Sequence, residues 1–465
     1  MAITRRSLIR SAAVGLSAAA CGYAAPGILR HRPAGNLVLI IADAMRADRI
    51  GRKVPINGFP SSLTPTCDRL AAEGLSFDNA FASSSWTPIS VAAMLYGASP
   101  FDIGYAGGLS VRGTSGGAVR RLAEKGFCTA AVNANWVCDT AAIKDGFETF
   151  VSMPKSSKGK DHAGIREAYK CAETVNEAVF SLISTLERSR SFFLYVHYMD
   201  THEPYYCPGR YLYKLGLRLE EAACPTIVRD KLLSGEKNLT EEMSLERGIA
   251  QMEGQYNAAA LYWDSRLGAL LERLDARGLL EDTLVVVTSD HGEEFADNME
   301  TSPNVGHATN LSLQQIHSPL LVWRKGMAAA GHRRLGAPVS LTSVVHSVLD
   351  AYAGAKRRRD PFSALEEAAA DDGEPVVSAL NWRDFNGFSM IFGGVKVNGF
   401  FGEGEDLENV EAFHISRASG PRMLSEVPAS LASRMRDVLA RRAPFESTGV
   451  NEAEREKLKA LGYLN

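Results

Sequence analysis

The chain has 465 residues, with 51 Lys and Arg against 54 Asp and Glu, for a formal net charge of -3. That balance excludes a nucleic-acid binder built on bulk positive charge, and 45% hydrophobic with 23% charged residues excludes a disordered chain. The length suits one large domain with a smaller one, no apolar run reaches the roughly 18 residues of a membrane span, and seven Cys without a C-x-x-C pair make neither a disulfide scaffold nor a zinc knuckle.

Residues 1–30 read as an export signal. Arg5, Arg6 and Arg10 form a basic head before an Ala-rich run from Ser11 to about Gly27, the layout of a secretory signal. The TRRSLIR stretch resembles a signal handled by the twin-arginine export machinery. A cytosolic Ala-rich helix is the competing reading, and Gly15, Gly22 and Pro26 argue against it. The mature protein is therefore expected in the periplasm or outside the cell. Lipidation of Cys21, and hence a membrane anchor, is a weaker alternative, because Ala18 and not Leu stands three residues before it. In an exported chain the other six Cys are able to pair. Cys207 and Cys224 are near neighbours, although connectivity does not follow from sequence.

Beyond the signal, short apolar runs alternate with helical patterns. Asn36 to Ala42 (NLVLIIA) is a continuous run with the character of a strand buried on both faces. Thr129 to Val132, Phe192 to Tyr198 and Leu284 to Thr288 have the same character. Tyr256 to Ala276 carries leucines at helical spacing, with Gly278 as a stop. This alternation predicts an α/β fold, a mainly parallel sheet with helices on both faces, spanning residues 31–355. In such sheets ligands sit outside the carboxyl ends of the strands. Two long excursions, Ser152 to Gly164 and Tyr205 to about Arg247, are expected as loops that shape a site. AKRRRD and EEAAADDGE mark a charged connection to a smaller C-terminal α+β subdomain, residues 356–465. Its strand candidates are Pro375 to Leu380, Phe388 to Phe392 and Val395 to Phe400. Helices at Ala429 to Arg442 and Glu452 to Leu461 close the chain.

Residues able to carry chemistry gather at the strand ends. Asp43 follows the first strand, where a carboxylate serves either a cation or a helix cap. Asp290 and His291 follow LVVVTS, and a mix of carboxylate and imidazole suits manganese or zinc better than calcium. Glu293 and Glu294 add negative charge beside them, the competing role being a favourable first helical turn. Thr87 precedes Pro88 at a predicted helix start, as the N-cap, where an anion is also favoured. Ser83, Ser84 and Ser85 are rivals for a nucleophilic role. FFLYVHYMDTHEPYY supplies His197, Asp200 and His202, and GHATN supplies His307. Each His alone reads as structural; together with Asp43, Asp290, His291 and Thr87 they read as a site.

In that order and at those spacings the chain resembles the sulfatase branch of the alkaline phosphatase superfamily. The segments NLVLIIADAMRAD, TPTCDRLAAEGLSFDNAFASS, LAEKGFCTAAV, FFLYVHYMDTHEPY, DTLVVVTSDHGEEF, GHATNLSLQQIHSPLLVW and LKALGYL carry the resemblance. It implies an alkaline phosphatase-like core with a C-terminal subdomain and a hydrolase of sulfuric or phosphoric mono- or diesters. It implies one divalent metal ion, manganese or zinc before calcium or magnesium, on Asp43, Thr87, Asp290 and His291. Thr87 takes the nucleophile position, His202 and His307 contact the transferred group, and Arg46 is a further candidate for binding substrate. The expected substrate is a small-molecule, glycan or lipid ester. Three departures stand out. TPISV replaces the C/S-x-P-S-R motif that is oxidised to formylglycine, Ala44 replaces a second aspartate, and NANWV replaces G-K-W-H. They point to the family's one-metal, Thr- or Ser-dependent members, put sulfate specificity in doubt and favour phosphoester turnover, with sulfate esters kept as substrates by the breadth of the family. The alternatives are a head-group transferase and a non-catalytic binder of anionic glycan or lipid head groups.

Overall fold

The computed structural model describes residues 35–440 apart from 106–108, 114–115, 154–170, 187–189, 219–224, 298–303, 328–332, 355–364, 366–373, 383–384, 403–406 and 416–421. The export signal with Cys21, most of the Ser152 to Gly164 excursion, the charged connection, Cys224 and the closing helix expected at Glu452 to Leu461 lie outside the described residues.

Eight strands form the central sheet: β1 Asn36–Ala42, β2 Leu75–Phe81, β3 Cys128–Asn133, β4 Thr149–Ser152, β5 Phe192–Tyr198, β6 Thr283–Thr288, β7 His317–Arg324 and β8 Arg333–Ser340. Their order across the sheet is β8-β2-β7-β6-β1-β5-β3-β4. β1 lies at the centre, parallel to β6 on one side and β5 on the other. β7 runs antiparallel to both of its neighbours. Every residue of β1 is buried, because Leu37, Leu39 and Ile41 face one apolar core and Val38, Ile40 and Ala42 face the other. The continuous apolar run is thus explained by helices on both faces, as expected for a parallel sheet.

Four strands, β2, β4, β7 and β8, are additions to the expected set. β2 (LSFDNAF) interrupts its apolar run with polar residues. β8 (RRLGAPVS) is an edge strand, largely exposed and carrying Pro338, as edges and bulges tolerate. The predicted Tyr256 helix in fact begins at Leu245 and runs to Asp275, capped by Ser244, whose Oγ accepts from the Arg247 N–H at 3.2 Å. The Tyr205 to Arg247 excursion is also more than a loop, since it contains helices at Gly209–Lys214 and Pro225–Leu233.

The C-terminal sheet is an antiparallel meander of β9 Val376–Trp382, β10 Phe385–Phe392, β11 Val395–Phe401, β12 Leu407–His414 and β13 Arg422–Met423, followed by a helix at Ala429–Ala440. It docks beside the segment that leads to Thr87. Ser378 Oγ donates to the Ala82 carbonyl at 2.6 Å, the Ala379 N–H donates to the Ser83 carbonyl at 2.9 Å, and Trp382 stacks on Trp86 with ring centroids 4.0 Å apart.

Candidate active site

Strand β1 delivers Asp43, β6 delivers Asp290 and His291 after two intervening positions at most, β5 delivers His202, and the segment after β2 delivers Thr87. All of these leave the carboxyl edge of the sheet. Ligand atoms of Asp43, Asp290 and His291 lie within 4.8 Å of one another, and all three side chains are buried. Thr87 Oγ1 is 3.1 Å from His291 Nε2.

The hydrogen bonds around this cluster decide which atoms point into it. His291 Nδ1 lies 2.9 Å from the Gly292 carbonyl, which only accepts, so Nδ1 carries the proton and Nε2 presents its lone pair inward. Asp290 Oδ1 accepts the N–H groups of Ala44 at 3.2 Å and His291 at 3.0 Å. Asp43 Oδ2 accepts from Asn135 Nδ2 at 2.6 Å and His197 Nε2 at 2.9 Å. The second oxygens, Asp43 Oδ1 and Asp290 Oδ2, are buried without a hydrogen-bond partner. They lie 3.7 and 3.5 Å from His291 Nε2. Two buried carboxylate oxygens and one imidazole lone pair aimed at a common point are costly without a cation between them. The donor set therefore fits one divalent metal ion with mixed oxygen and nitrogen ligands. Burial alone would raise the Asp43 carboxyl, but the charge of His202 and the hydrogen bond and charge of His197 hold it well below the usual carboxylate range.

A second layer of imidazoles adjoins the cluster. The His307 ring lies 4.6 Å from that of His291 and 4.5 Å from that of His202. His202 Nδ1 donates to the Glu203 carbonyl at 2.6 Å. His307 Nδ1 sits 3.1 and 3.2 Å from the two oxygens of Glu293. Burial, reinforced by the charge of Glu203 and opposed by Arg229, pushes the Glu293 carboxyl well up. Protonation of Glu293 would let it donate to His307 Nδ1 and leave the proton of that ring on Nε2.

Several expectations are corrected. Arg46, expected as a candidate for binding substrate, acts as a brace within the protein. All five of its N–H donors are engaged, by Asp48, Asp297 and the Glu293 carbonyl, at 2.7–3.1 Å. Thr87 is the first residue of the helix Thr87–Tyr96, and Trp86 occupies the cap; the hydroxyl turns to His291 instead of to its own helix. Glu293 and Glu294 start no helix, because Glu294–Phe295 pairs with Val305–Gly306 as a short hairpin. Ser83 Oγ bonds Thr342 Oγ1 and Ser85 Oγ bonds the Asn310 carbonyl, so these two rivals of Thr87 are occupied in packing. Sequence reasoning passed over Asn135 and Glu293 as partners of site residues. Asn135 stands two residues beyond β3, in the NANWV stretch, and that strand-end position was the available signal.

Residues 35–355 match the family described as Sulfatase. An arylsulfatase of Clostridium perfringens is 24% identical over 316 residues, covering 57% of this chain and 64% of that protein. Arylsulfatase A of Homo sapiens is 25% identical over 335 residues, covering 62% of this chain and 55% of that protein. The chain thus spans less than two-thirds of the length of these relatives. The structure of a phosphonate monoester hydrolase of Agrobacterium radiobacter superposes with a TM-score of 0.62 at 14% identity, over 92% of this chain and 96% of that one, which is a likeness of fold.

Proposed function

The chain belongs to the sulfatase family, and on that premise we propose that it is an exported hydrolase of sulfate or phosphate esters in which Thr87 is the nucleophile. One observation carries the reading: the Thr87 hydroxyl lies 3.1 Å from the inward nitrogen of His291, beside two buried, unpartnered carboxylate oxygens. Asp43, Asp290 and His291 would hold a divalent metal ion there, with manganese or zinc favoured by the donor types. Bound at that point, the ion would lower the pKa of the Thr87 hydroxyl and stabilise developing oxyanion charge.

Thr87 Oγ1 attacks the phosphorus or sulfur in line. The start of helix Thr87–Tyr96 favours the negative oxygens of the group being transferred. His202, anchored through Nδ1, and His307, anchored on Glu293, act through Nε2 on the non-bridging oxygens, and one of them protonates the leaving oxygen. Water then releases the group from Thr87; an acceptor alcohol in its place would make the protein a head-group transferase. A threonine phosphate ester is the easier of the two intermediates to hydrolyse, and position 87 offers no Cys or Ser for conversion to formylglycine. This chemistry favours phosphate mono- or diesters over sulfate esters, with a small-molecule, glycan or lipid alcohol as the other half of the substrate.

The test is a panel of aryl sulfate, phosphate monoester, phosphate diester and phosphonate ester on metal-exchanged protein, repeated with Thr87→Ala and Thr87→Ser. Thr87→Ala is expected to lose orders of magnitude in kcat, and Thr87→Ser to retain part of the rate. A parent protein inert on all four esters would favour the binding-protein reading, and near-normal rates in Thr87→Ala would remove the covalent mechanism. Export is tested by cell fractionation with Arg5 and Arg6 both changed to Lys, which should leave the protein in the cytoplasm. Among the described residues no helix is long and apolar enough to cross a membrane.

A further inference from the structure

Two segments that leave the catalytic edge meet on the surface, and each carries cations without acids: Arg49, Arg52 and Lys53 in the first, Arg210, Lys214 and Arg218 in the second. From Arg49 to Cys67, and again from Pro204 to Leu219, there is no Asp or Glu, in a protein of net charge -3. The first segment folds into a hairpin, Lys53–Ile56 paired with Phe59–Ser62. Its turn is Asn57-Gly58 with both φ values positive, 53° and 83°, the tight two-residue form that holds its flanks rigidly. The second segment contains the helix Gly209–Lys214. The Asn57 N–H donates to the Lys214 carbonyl at 2.7 Å, so the hairpin tip is fastened to the end of that helix.

Beside this bond, two large apolar side chains stand in water: Phe59 is 73% exposed and Tyr213 is 59% exposed. Pro60 adjoins Phe59 and is also exposed. The same hairpin and helix carry Lys53, Arg210 and Lys214, none with a carboxylate within 4.0 Å among the described residues. Arg210 and Lys214 instead lie over the Tyr211 ring, at 5.3 and 4.9 Å. An apolar, aromatic tip on elements that carry cations paired with no described carboxylate matches the layered chemistry of a lipid surface. Aromatic rings settle at the level of the head groups, and the cations meet the phosphates. A protein partner of opposite charge would satisfy the cations, but it would not require a rigid apolar projection beside them.

We propose that the hairpin tip at Phe59 and Pro60, with Tyr213 and the cations Lys53, Arg210 and Lys214, docks this protein on an anionic lipid bilayer. The inference stands apart from the ester that is cleaved, because none of these side chains belongs to the catalytic cluster.

The experiment is co-sedimentation of the full chain with vesicles of phosphatidylcholine alone, or with about one-third phosphatidylglycerol, at low salt and at about 0.5 M salt. Three proteins are compared: the parent, Phe59→Ser with Tyr213→Ser, and Lys53→Gln with Lys214→Gln. Circular dichroism melts establish that each is folded. The parent should bind the anionic vesicles preferentially and release in high salt. The double Gln variant should bind more weakly by about fivefold for each cation removed, and the double Ser variant should lose most of its binding even at low salt. Equal binding by all three folded proteins, or none by the parent, would overturn the proposal. So would self-association without lipid that the double Ser variant abolishes, since the patch would then be a contact between copies of the chain.

Discussion

Replacing Asp200 by Asn should uncouple the stability of the protein from pH in a defined window. Asp200 Oδ1 accepts the Ala172 N–H at 2.9 Å, at the start of helix Ala172–Thr185, while its buried Oδ2 has no hydrogen-bond partner. Burial pushes this carboxyl from 3.8 up to about 7, against the opposing pull of the Ala172 N–H. A carboxyl with a raised folded-state pKa holds its proton more tightly folded than unfolded. The stability this confers is fully present below 3.8 and is lost as pH rises through about 7. At about 1.36 kcal/mol per pH unit, the loss between about pH 5 and about pH 8 comes to about 2.5 kcal/mol. Asn keeps the Oδ1 acceptor and does not titrate. Its amide N–H groups face the same apolar surroundings as Oδ2, which adds an offset that is the same at every pH. Urea unfolding of both proteins at the two pH values isolates the titration from that offset. Asp200→Asn should gain about 2.5 kcal/mol on the parent between the lower and the higher pH. A parent-to-variant gap that is equal at both pH values would show that burial does not set the ionisation of Asp200.

Three further outcomes are expected. Burial lowers the Lys396 ammonium to about 7, against Glu411 and Glu294, so its penalty is present below that value and relieved as pH rises toward 10.5; Lys396→Met should therefore stabilise the protein by about 2–3 kcal/mol more at about pH 6 than at about pH 9, read by urea unfolding. Glu293→Gln, which like the neutral acid can donate to His307 Nδ1, should retain kcat within about tenfold, whereas Glu293→Leu should lose about 10–100-fold with little change in KM; equal losses in the two variants would contradict a neutral Glu293. Chelation should lower the thermal midpoint, and manganese or zinc at about 100 times its Kd should restore about 2.7 kcal/mol; Asp290→Asn should abolish that response in differential scanning calorimetry.

The strands that carry the site were legible because their signals are local. NLVLIIA and LVVVT are apolar without alternation, which a strand adopts only when both faces are covered, and the structure covers both faces of β1. Polar residues directly after such strands, Asp43, Asp290 and His291, can point only toward the carboxyl edge, so their meeting followed from topology alone. The edge strand β8 was illegible for the converse reason. An exposed strand needs no apolar pattern, and its pairing with β2 is visible only once both lie in the sheet. What remained for the tertiary structure was the fate of each polar atom. Asp43 is read as a metal ligand rather than a cap because Asn135 and His197, far along the chain, satisfy Oδ2 and leave Oδ1 buried and bare. Arg46, next to the same aspartate in sequence, is instead consumed by Asp48, Asp297 and the Glu293 carbonyl. A residue's type limits what it can donate or accept, but hydrogen bonds are short and directional. Only the packed neighbours determine which donors and acceptors are already spent and which remain for chemistry.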